Sequence, residues 1–296
     1  RSLLTKYFRV PTPEWSTVQW MWDKRNTYHL AKELGIPIPR TECPGDIERL
    51  NALDIAFPVV IKPAIKERFL RATKVKAWRA NNRAELQNLF LRAAKLIEPG
   101  EVMVQELVPG DGRHQFAYCA FFKQGRAVGG MVARRTRQHP SEFGRASTFV
   151  ETIDLPLLES LSERFLRAID YYGLVELEYK LDPRDGQYKL LDVNARTWGY
   201  HTLGRRAGVD FPWLLFTDQL GQPVEPQQAR PGVSWIRLIT DLPTGISGIL
   251  SGKLNWKAYV RSLCAAHVEA VFSREDPIPG IAELALIPYL SVRRGF

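Results

Sequence analysis

The chain has 296 residues, of which 45% are hydrophobic and 25% charged, an ordinary balance for a globular protein large enough to hold more than one lobe. Its three scattered cysteines, Cys43, Cys119 and Cys264, predict neither a disulfide framework nor a zinc site and fit a reducing compartment. No apolar run is long enough to cross a bilayer, and the first residues lack a signal-peptide pattern. We therefore expect a cytoplasmic protein with no membrane partner.

The net charge is +9 at pH 7 and the isoelectric point about 9.5, which suits a nucleic acid, an acidic lipid or an anionic small molecule. The densest basic clusters, at residues 134–137 and 205–206, match no RNP, zinc-finger or helix-turn-helix pattern. We therefore expect no nucleic-acid partner, and a basic nucleic-acid-binding protein is the more distant alternative. An enzyme that handles anionic substrates would use the same excess of positive charge.

The first regular element is predicted to be helical over residues 14–34, with a break near Asp23. Asp23 can cap the second segment, and Gly35 ends it in the position where helices favour glycine. Lys24 then stands at the start of this second helix. Taken alone, it is most simply a surface lysine.

The next elements complete a small α+β lobe. Residues 57–63 read as a buried strand that ends in Lys62, and a lysine there is better explained as a point charge for phosphate oxygens than by packing. Three elements are expected to follow: a charged loop without glycine at residues 64–72, a strand at 73–79, and a helix at 83–97 capped by Asn82. The charged loop could contact phosphate through its side chains, and the alternative interpretation is that it is a solvated surface segment.

A strand at residues 102–104 then runs into the segment Gln105-Glu106-Leu107-Val108-Pro109-Gly110. The plainer interpretation of Glu106 is an acid on an edge strand. The elements expected after it are a hairpin at 116–122 and 127–133, a loop at 134–144, a strand at 148–153, a helix capped by Asp154 that reaches residue 172, and helices at 211–220 and 256–272. These pieces predict an antiparallel sheet backed by helices.

Residues 176–196 predict a β-hairpin that carries the strongest functional signal. Strand alternation puts Glu176, Glu178, Asp192 and Asn194 on one face, on either side of a turn rich in Asp, Pro and Gly. Carboxylates that face each other across strands repel, so they require a proton, a lysine or a metal ion. Two carboxylates and an amide oxygen are hard ligands that suit Mg²⁺. The competing interpretation is a solvated polar face of the sheet.

Taken in order, four motifs resemble the ATP-grasp superfamily, most closely its carbamoyl-phosphate-synthase-like and carboxylate–amine ligase members. They are the D-K…L-G-I-P-x-P run from Asp23, the strand-end Lys62, the Gln105-Glu106-x-x-Pro109-Gly110 segment, and Glu178 followed by Asp192-x-Asn194-x-Arg196. The resemblance implies an α+β fold in which two α+β lobes clamp ATP. It divides the chain into a lead-in at residues 1–22, a small lobe at 23–108, a large lobe with the metal hairpin at 109–221 and a C-terminal extension at 222–296.

The resemblance also implies roles for individual residues. It places ATP against Lys24, Lys62, Lys74, Gln105, Glu106, Leu107, Val108, His114 and Gln115, with the Glu106 carboxylate accepting from the adenine amine. It gives Mg²⁺ to Glu178, Asp192 and Asn194, where aspartate at 192 replaces the more usual glutamate, and it makes Asn194 and Arg196 catalytic. The guanidinium forks of Arg134 and Arg135 separately suggest a site for the substrate carboxylate, with a solvated surface as the alternative.

The activity that the resemblance implies is that of an ATP-dependent ligase. A carboxylate would attack the γ-phosphate of ATP to give an acyl phosphate and ADP, and an amine or thiol would then displace phosphate. Expected partners are ATP, a small carboxylate and an amine, with a homodimer as an open option. The absence of a glycine-rich phosphate loop keeps two alternatives open, a phosphotransferase and a non-catalytic nucleotide-binding module.

Ligases of this class usually carry an N-terminal α/β domain before the D-K run, and only twenty-two residues precede Asp23. This spacing predicts a truncated or processed chain, or one whose first domain comes from a partner. Ligase activity of the chain alone would then be weak, because part of the substrate cleft would be missing.

Overall fold

The computed structural model describes residues 3–140, 144 and 146–294, with side chains up to residue 290. The strands in these segments are β1 (Thr41–Glu42), β2 (Val59–Pro63), β3 (Trp78–Ala80), β4 (Val102–Glu106), β5 (Gln115–Lys123), β6 (Arg126–His139), β7 (Ala146–Ile153), β8 (Gly173–Leu181), β9 (Tyr188–Asn194), β10 (Gln227–Gln228), β11 (Ser234–Ile236) and β12 (Val268–Glu269). The helices are α1 (Trp15–Trp22), α2 (Lys24–Glu33), α3 (Ile47–Ala52), α4 (Lys66–Thr73), α5 (Arg83–Ala94), α6 (Pro156–Ala168), α7 (Thr202–Ala207), α8 (Phe211–Gln219), α9 (Leu238–Leu250), α10 (Trp256–Cys264), α11 (Ile278–Ala285) and α12 (Ile287–Arg294).

The strands form two sheets. The smaller is antiparallel and has the order β1-β4-β2-β3. The larger has the order β12-β11-β7-β6-β5-β8-β9, with β10 also paired to β6. The predicted α+β class is therefore confirmed.

The small sheet buries one apolar face against helices. Val59 and Ile61 of β2 and Val104 of β4 are fully buried in a core that includes Leu86 and Phe90 of α5. The side chain of Asn82 accepts a hydrogen bond from the Glu85 amide and caps α5, as the sequence predicted. The helix ends at Ala94, three residues earlier than predicted.

The large sheet is covered on both faces, which gives it two separate cores. On one face, the apolar stripe of α6 packs on β5, β8 and β9 through Leu158, Leu161 and Phe165. On the other face, Phe211 and Leu214 of α8 pack on β5, β6 and β8. Because strand side chains alternate in direction, the central strands are apolar on both sides and rigidly held.

Helix α2 contacts both sheets. Asp23 accepts a hydrogen bond from the Arg25 amide as N-cap, and Gly35 follows the helix with a positive φ of 64°, so the predicted break and both predicted ends are confirmed. Leu30 belongs to a core of the large sheet, whereas Tyr28 packs on Met103 of the small one. The N-terminus of α2 therefore lies where the two sheets meet.

The segment predicted as a glycine-free loop is instead helix α4, and the strand after it is shorter than predicted. Four of the eight residues of α4 are charged, which made the segment look like a solvated loop. The fully buried Phe69 attaches the helix to the small-sheet core, and Lys74 closes it with a positive φ of 60°. One buried aromatic residue is too weak a periodic signal to predict a helix.

Two further predictions in the large lobe are wrong in detail. Residues 134–139 continue β6 instead of forming a loop, because they pair with β7 through two register shifts. Helix α6 has Leu155, not Asp154, as its N-cap and ends at Ala168. Strand β6 is therefore longer than predicted and helix α6 is shorter, but the predicted architecture is unchanged.

Beyond residue 222, short strands extend the large sheet. β11 pairs antiparallel with β7, and β12 pairs parallel with β11. The predicted helix over residues 256–272 ends at Cys264, because the backbone of β12 is taken up by pairing with β11. In the part of the chain that the structure describes, every helix is too short or too polar to span a bilayer.

Candidate functional site

A cleft of about 850 Å³ opens between the two sheets. Twelve of the fifteen predicted site residues line it: Lys24, Lys62, Gln105, Glu106, Leu107, Val108, Gln115, Arg135, Glu178, Asp192, Asn194 and Arg196. A volume in this range suits a ligand of nucleotide size. The fold thus brings together residues that are up to 172 positions apart in the sequence (196 − 24).

The hairpin of β8 and β9 supplies the acidic wall of the cleft. Glu178 lies directly opposite Asp192, and Glu176 lies opposite Asn194. A β-bulge follows Glu178, so the strands change register before the turn. The predicted hairpin and the shared face of its acids are therefore confirmed.

Each of the two facing carboxylates has its own cation. Arg135 Nη1 lies 2.5 Å from Glu178 Oε2, and the Lys24 ammonium donates to Asp192 Oδ1. Burial alone would raise both carboxyl pKa values, but Arg135 and Lys24 outweigh it and hold the pKa of each acid below its ordinary value. Both carboxylates are therefore ionised near neutral pH, in spite of their mutual repulsion.

Asn194 is held by a second layer of hydrogen bonds. Its Nδ2 donates to Glu178 Oε1 at 3.1 Å and to Glu176 Oε2 at 3.4 Å. Tyr200 in turn donates its hydroxyl to Glu176 Oε1 at 2.7 Å. Burial and the nearby Glu178 charge raise the pKa of Glu176 to about 7. Glu176 lies on the predicted face, but its supporting role depends on contacts with Asn194 and Tyr200 that only the fold reveals.

The oxygen donors at the start of the hairpin fit the chemistry of Mg²⁺. Glu178, Asp192 and Asn194 offer two ionised carboxylates and an amide, all hard ligands, on adjacent rigid strands. Among the described residues, no group of three or more His, Cys, Asp or Glu side chains is arranged to hold a metal ion. This set would therefore need substrate phosphates and water to complete its coordination, which is the usual arrangement for Mg²⁺.

Two lysines of the small lobe face this acidic wall. Lys62 Nζ donates to the Tyr28 hydroxyl at 2.7 Å, and Lys76 Nζ donates to the Gly144 carbonyl at 2.9 Å. Within residues 3–140, 144 and 146–290, neither lysine has a carboxylate at ion-pair distance. Burial lowers the pKa of Lys62 to about 8, and it also lowers the pKa of Lys76. Two uncompensated ammonium groups in a cleft favour an anionic ligand.

A closed network of ion pairs occupies the other end of the cleft. Glu106 accepts from Lys189 Nζ at 2.9 Å, from Arg184 Nη2 at 2.8 Å and from the Arg40 amide at 2.9 Å. The same two cations also bind Asp182, at 2.7 Å from Lys189 and 2.5 Å from Arg184. Hydrogen bonds from Arg184 and Lys189 hold the pKa of Asp182 well below its ordinary range.

This network changes the interpretation of Glu106. The resemblance made its carboxylate the acceptor for the adenine amine, but both oxygens are already taken by cations and a backbone amide. In the structure this carboxylate is engaged within the protein, and its role toward adenine stays a prediction. Its contacts instead join the end of β4 in the small sheet to the turn of the β8–β9 hairpin.

Three predicted residues lie outside the lining of the cleft. Lys74 ends α4, and Lys76, two positions later, reaches the cleft in its place. His114 Nδ1 is 3.0 Å from Asp111 Oδ1, whereas Gln115 beside it does line the cleft. Arg134 pairs with Glu151 on the neighbouring strand, at 2.7 Å.

Arg135 lines the cleft but does not fit the predicted carboxylate fork. It lies on β6 instead of a loop, is buried, and is occupied by Glu178 and by Ser147 Oγ, to which its Nε donates at 2.8 Å. The predicted loop is a strand here, because the sequence showed a basic run and not the alternation of a strand, and the role of these arginines toward a substrate carboxylate stays a prediction. Alternation sends Arg134 and Arg135 to opposite faces of the sheet.

No protein-family model matches the chain. A D-aspartate ligase of Enterococcus faecium (strain Aus0004) is 26% identical over 204 residues, which cover 65% of this chain and 48% of that protein. The biotin carboxylase domain of 2-oxoglutarate carboxylase from Hydrogenobacter thermophilus, solved with MgADP and bicarbonate, superimposes with a TM-score of 0.63 at 17% identity, over 79% of this chain and 53% of that chain. An L-amino acid ligase from Bacillus licheniformis gives a TM-score of 0.55 at 17% identity, over 76% and 55% of the two chains.

The two solved structures share one fold with the protein, the ATP-grasp fold. The fold that the motifs predicted is therefore confirmed. The chain spans about half the length of the relatives it matches.

Proposed function

We propose that the protein is an ATP-dependent ligase that activates a carboxylate as an acyl phosphate and couples it to an amine. The observation that carries this proposal is the pairing of charge across the cleft. On one wall, Lys62 and Lys76 have no carboxylate at ion-pair distance among the described residues, and on the opposite wall Glu178 and Asp192 face each other. Phosphates between the two walls would satisfy the lysines directly.

In this arrangement the triphosphate lies along the lysines and the adenine lies toward Leu107 and Val108. Both of these residues line the cleft, and the Leu107 amide donates to the Pro58 carbonyl at 3.3 Å, which fixes the segment. Glu178, Asp192 and Asn194 would hold Mg²⁺, which when bound would neutralise phosphate charge. Leu107 and Val108 thus define the adenine end of the cleft, and Lys62 and Lys76 define its phosphate end.

Arg196 is the candidate for the reacting end. Its Nη2 donates to Asn194 Oδ1 at 3.3 Å, and the side chain is exposed to the cleft. A guanidinium in this position would bind the transferred phosphoryl group and the oxyanion of the tetrahedral intermediate. The carboxylate oxygen attacks the γ-phosphorus, ADP leaves, and the amine then attacks the acyl carbon and expels phosphate.

The relatives suggest an amino acid as one of the two coupled substrates. One is named a D-aspartate ligase and another an L-amino acid ligase, and both names describe amino-acid coupling. The excess of positive charge on the chain is compatible with acidic substrates. We infer an amino acid as the substrate class for this protein, without choosing between its amine and carboxylate as the reacting group.

The test is a coupled screen. The purified chain is incubated with ATP, Mg²⁺ and pools of amino acids and small carboxylates, and ADP release and new amide masses are followed together. Amide formation that depends on both ATP and an amino acid is expected, and Lys62→Met should remove it whereas Lys32→Met, at an exposed position of α2, should not. ATP binding without any coupled product would contradict the ligase proposal.

One observation favours a second candidate, a nucleotide-binding module without ligase activity. The segment over the phosphate end is helix α4, which contains no glycine and therefore offers no flexible loop of backbone amides. The same screen separates the two candidates, because the module predicts an ATP-dependent rise in melting temperature but no ADP release.

A further inference from the structure

A pair of helices in the C-terminal region exposes an unusually apolar surface. Helix α9 presents four large aliphatic side chains at four-residue spacing: Leu238, Leu242, Ile246 and Leu250, which are 41%, 42%, 52% and 83% exposed. In α10, Trp256 and Val260 are similarly exposed. Soluble monomers rarely leave contiguous apolar patches without a partner. We call these six side chains, with the cations described below, the α9–α10 surface.

The buried sides of the two helices are already occupied. Asp241 of α9 is fully buried and accepts two hydrogen bonds from Arg137 of β6, both at 2.8 Å. Gly245 meets the ring of Tyr259, where the helices touch. With 3.6 residues per turn, the exposed aliphatic positions fall on the side of α9 opposite Thr240 and Asp241. The apolar stripe is therefore a true outer face and not a gap in the core.

The exposed charges on the two helices and on the segment between them have one sign. Glu269, outside them, uses its carboxylate to accept hydrogen bonds from the amides of Leu238, Val271 and Phe272. Residues 242–268 contain Lys253, Lys257 and Arg261 and no aspartate or glutamate. All three cations are exposed, and the Lys257 ammonium lies 5.7 Å from the ring centre of Trp256. On the exposed side of α10, the apolar residues 256 and 260 lie side by side, and the basic residues 257 and 261 flank them.

We propose that the α9–α10 surface binds the face of an anionic lipid bilayer. Aliphatic side chains, a tryptophan and flanking Lys or Arg on short amphipathic helices are the pattern of interfacial membrane binding. A partner protein with an apolar groove would not require charges of a single sign, whereas anionic headgroups do. None of these residues lines the nucleotide cleft, so this binding goes beyond the proposed function and does not depend on it.

Helix α11 is not part of the surface. It also exposes Ile278, Ile281 and Leu284, but the segment before it carries the exposed acids Glu275 and Asp276. Acids at this position would repel anionic headgroups. The proposal is therefore limited to the two helices whose exposed charges are all positive.

The experiment measures co-sedimentation of the full chain with two kinds of vesicle, phosphatidylcholine alone and phosphatidylcholine mixed with phosphatidylglycerol. We expect binding only to the mixed vesicles, weakened by salt, because screening shortens the reach of the cations. Lys257→Glu with Arg261→Glu should lower vesicle affinity by at least about tenfold. Leu242→Ser with Ile246→Ser should lower it comparably.

Matched controls use exposed residues elsewhere. Lys32→Glu with Lys95→Glu reverses two exposed cations outside the surface, and Trp213→Ser removes an aromatic ring that is 58% exposed on α8. Circular dichroism melting checks that every variant is folded. Binding to mixed vesicles that survives both test variants, or no vesicle binding at all, would overturn the proposal. A concentration-dependent dimer abolished by Leu242→Ser would also overturn it, since the surface would then be an interface between two copies.

Discussion

The two ends of the β8–β9 hairpin use the same residue types in opposite ways. At the turn, Glu106 and Asp182 share Lys189 and Arg184, so every charge in the group has partners within the protein. At the other end, Glu178 and Asp192 each pair with one cation, while Lys62 has no carboxylate at ion-pair distance in the part of the chain that the structure describes. The difference separates a structural clamp from a site that is prepared for a ligand.

Acidic and basic residues in a cleft therefore cannot be assigned a structural or a ligand-binding role from their residue type alone. A closed network gains little from an additional ligand, because binding must first break existing ion pairs. An open arrangement gains from an anion that reaches the lysines and from a cation that reaches the carboxylates. We therefore expect substitutions at the open end to change function strongly and substitutions at the turn to change mainly stability.

The largest effect is expected from Glu178→Ala. It removes one of the two facing carboxylates, so Mg²⁺-dependent ATP turnover should be lost. It also leaves the buried Arg135 without its acid, which should lower the free energy of unfolding by about 2 kcal/mol. Urea titration and ADP release measure the two consequences separately.

The matched control for Glu178→Ala is Glu151→Ala, which removes an acid paired with Arg134 outside the cleft. Unchanged turnover in Glu178→Ala, with the control also active, would remove the open end of the hairpin from the mechanism.

The second effect concerns Lys62. Lys62→Met keeps the length of the side chain and removes the charge, and the loss of one charge-assisted contact should weaken ATP binding by about ten- to a hundredfold. Isothermal titration with ATP measures this affinity. The same substitution at the exposed Lys32 is the control, because it removes an equal charge outside the cleft. Equal affinities in the two variants would mean that ATP does not reach the end of β2.

A smaller effect is expected from pH. Burial lowers the pKa of Lys62 to about 8, so the free protein loses this ammonium as the pH rises through that value. ATP affinity should fall by about fivefold between roughly pH 8 and pH 9, because the protonated fraction of Lys62 falls by that factor and the neutral amine cannot pair with phosphate. Lys62→Arg keeps its charge and should show a flatter profile. Parallel profiles in the two proteins would contradict the assignment.

The contribution of Lys62 to stability has the opposite trend. Below about pH 8 the lysine is protonated in both the folded and the unfolded chain. Between that pH and the ordinary value of 10.5, the unfolded chain binds more protons at Lys62 than the folded chain does. The contribution of Lys62 to the free energy of unfolding therefore rises with pH. Denaturant titrations of the same two proteins across this range provide the measurement.

The parts of the site that the sequence could predict were those set by local geometry. Alternation in a strand placed Glu178 and Asp192 on one face, and the cap residue Asp23 placed Lys24 at the start of a helix. Strand-end Lys62 was found because a buried strand makes a terminal lysine conspicuous. Periodicity and capping are short-range rules, and they apply before any tertiary contact forms.

What the sequence could not predict depends on contacts between distant segments. Nothing near Glu106 indicates Lys189, which lies 83 positions later and reaches it only when the lobes meet. The partner of Arg135 is hidden in the same way, and so is the helical state of α4, which depends on Phe69 finding the small-sheet core. Each of these features depends on a contact with residues that are distant in the sequence.

The smallest effect is expected at the turn, from Glu106→Gln. The substitution removes one charge, but Lys189 and Arg184 retain Asp182 as a partner, so the loss of stability should be about 1 kcal/mol, or a few degrees in melting temperature. ATP affinity and the preference for ATP over GTP should change little, because both carboxylate oxygens are engaged within the protein. Glu42→Gln, at a partly exposed acid of β1 that lies near Arg40, is the control. If Glu106→Gln instead lost ATP selectivity at unchanged stability, the carboxylate would contact adenine after all, and the contrast between the two ends of the hairpin would fail.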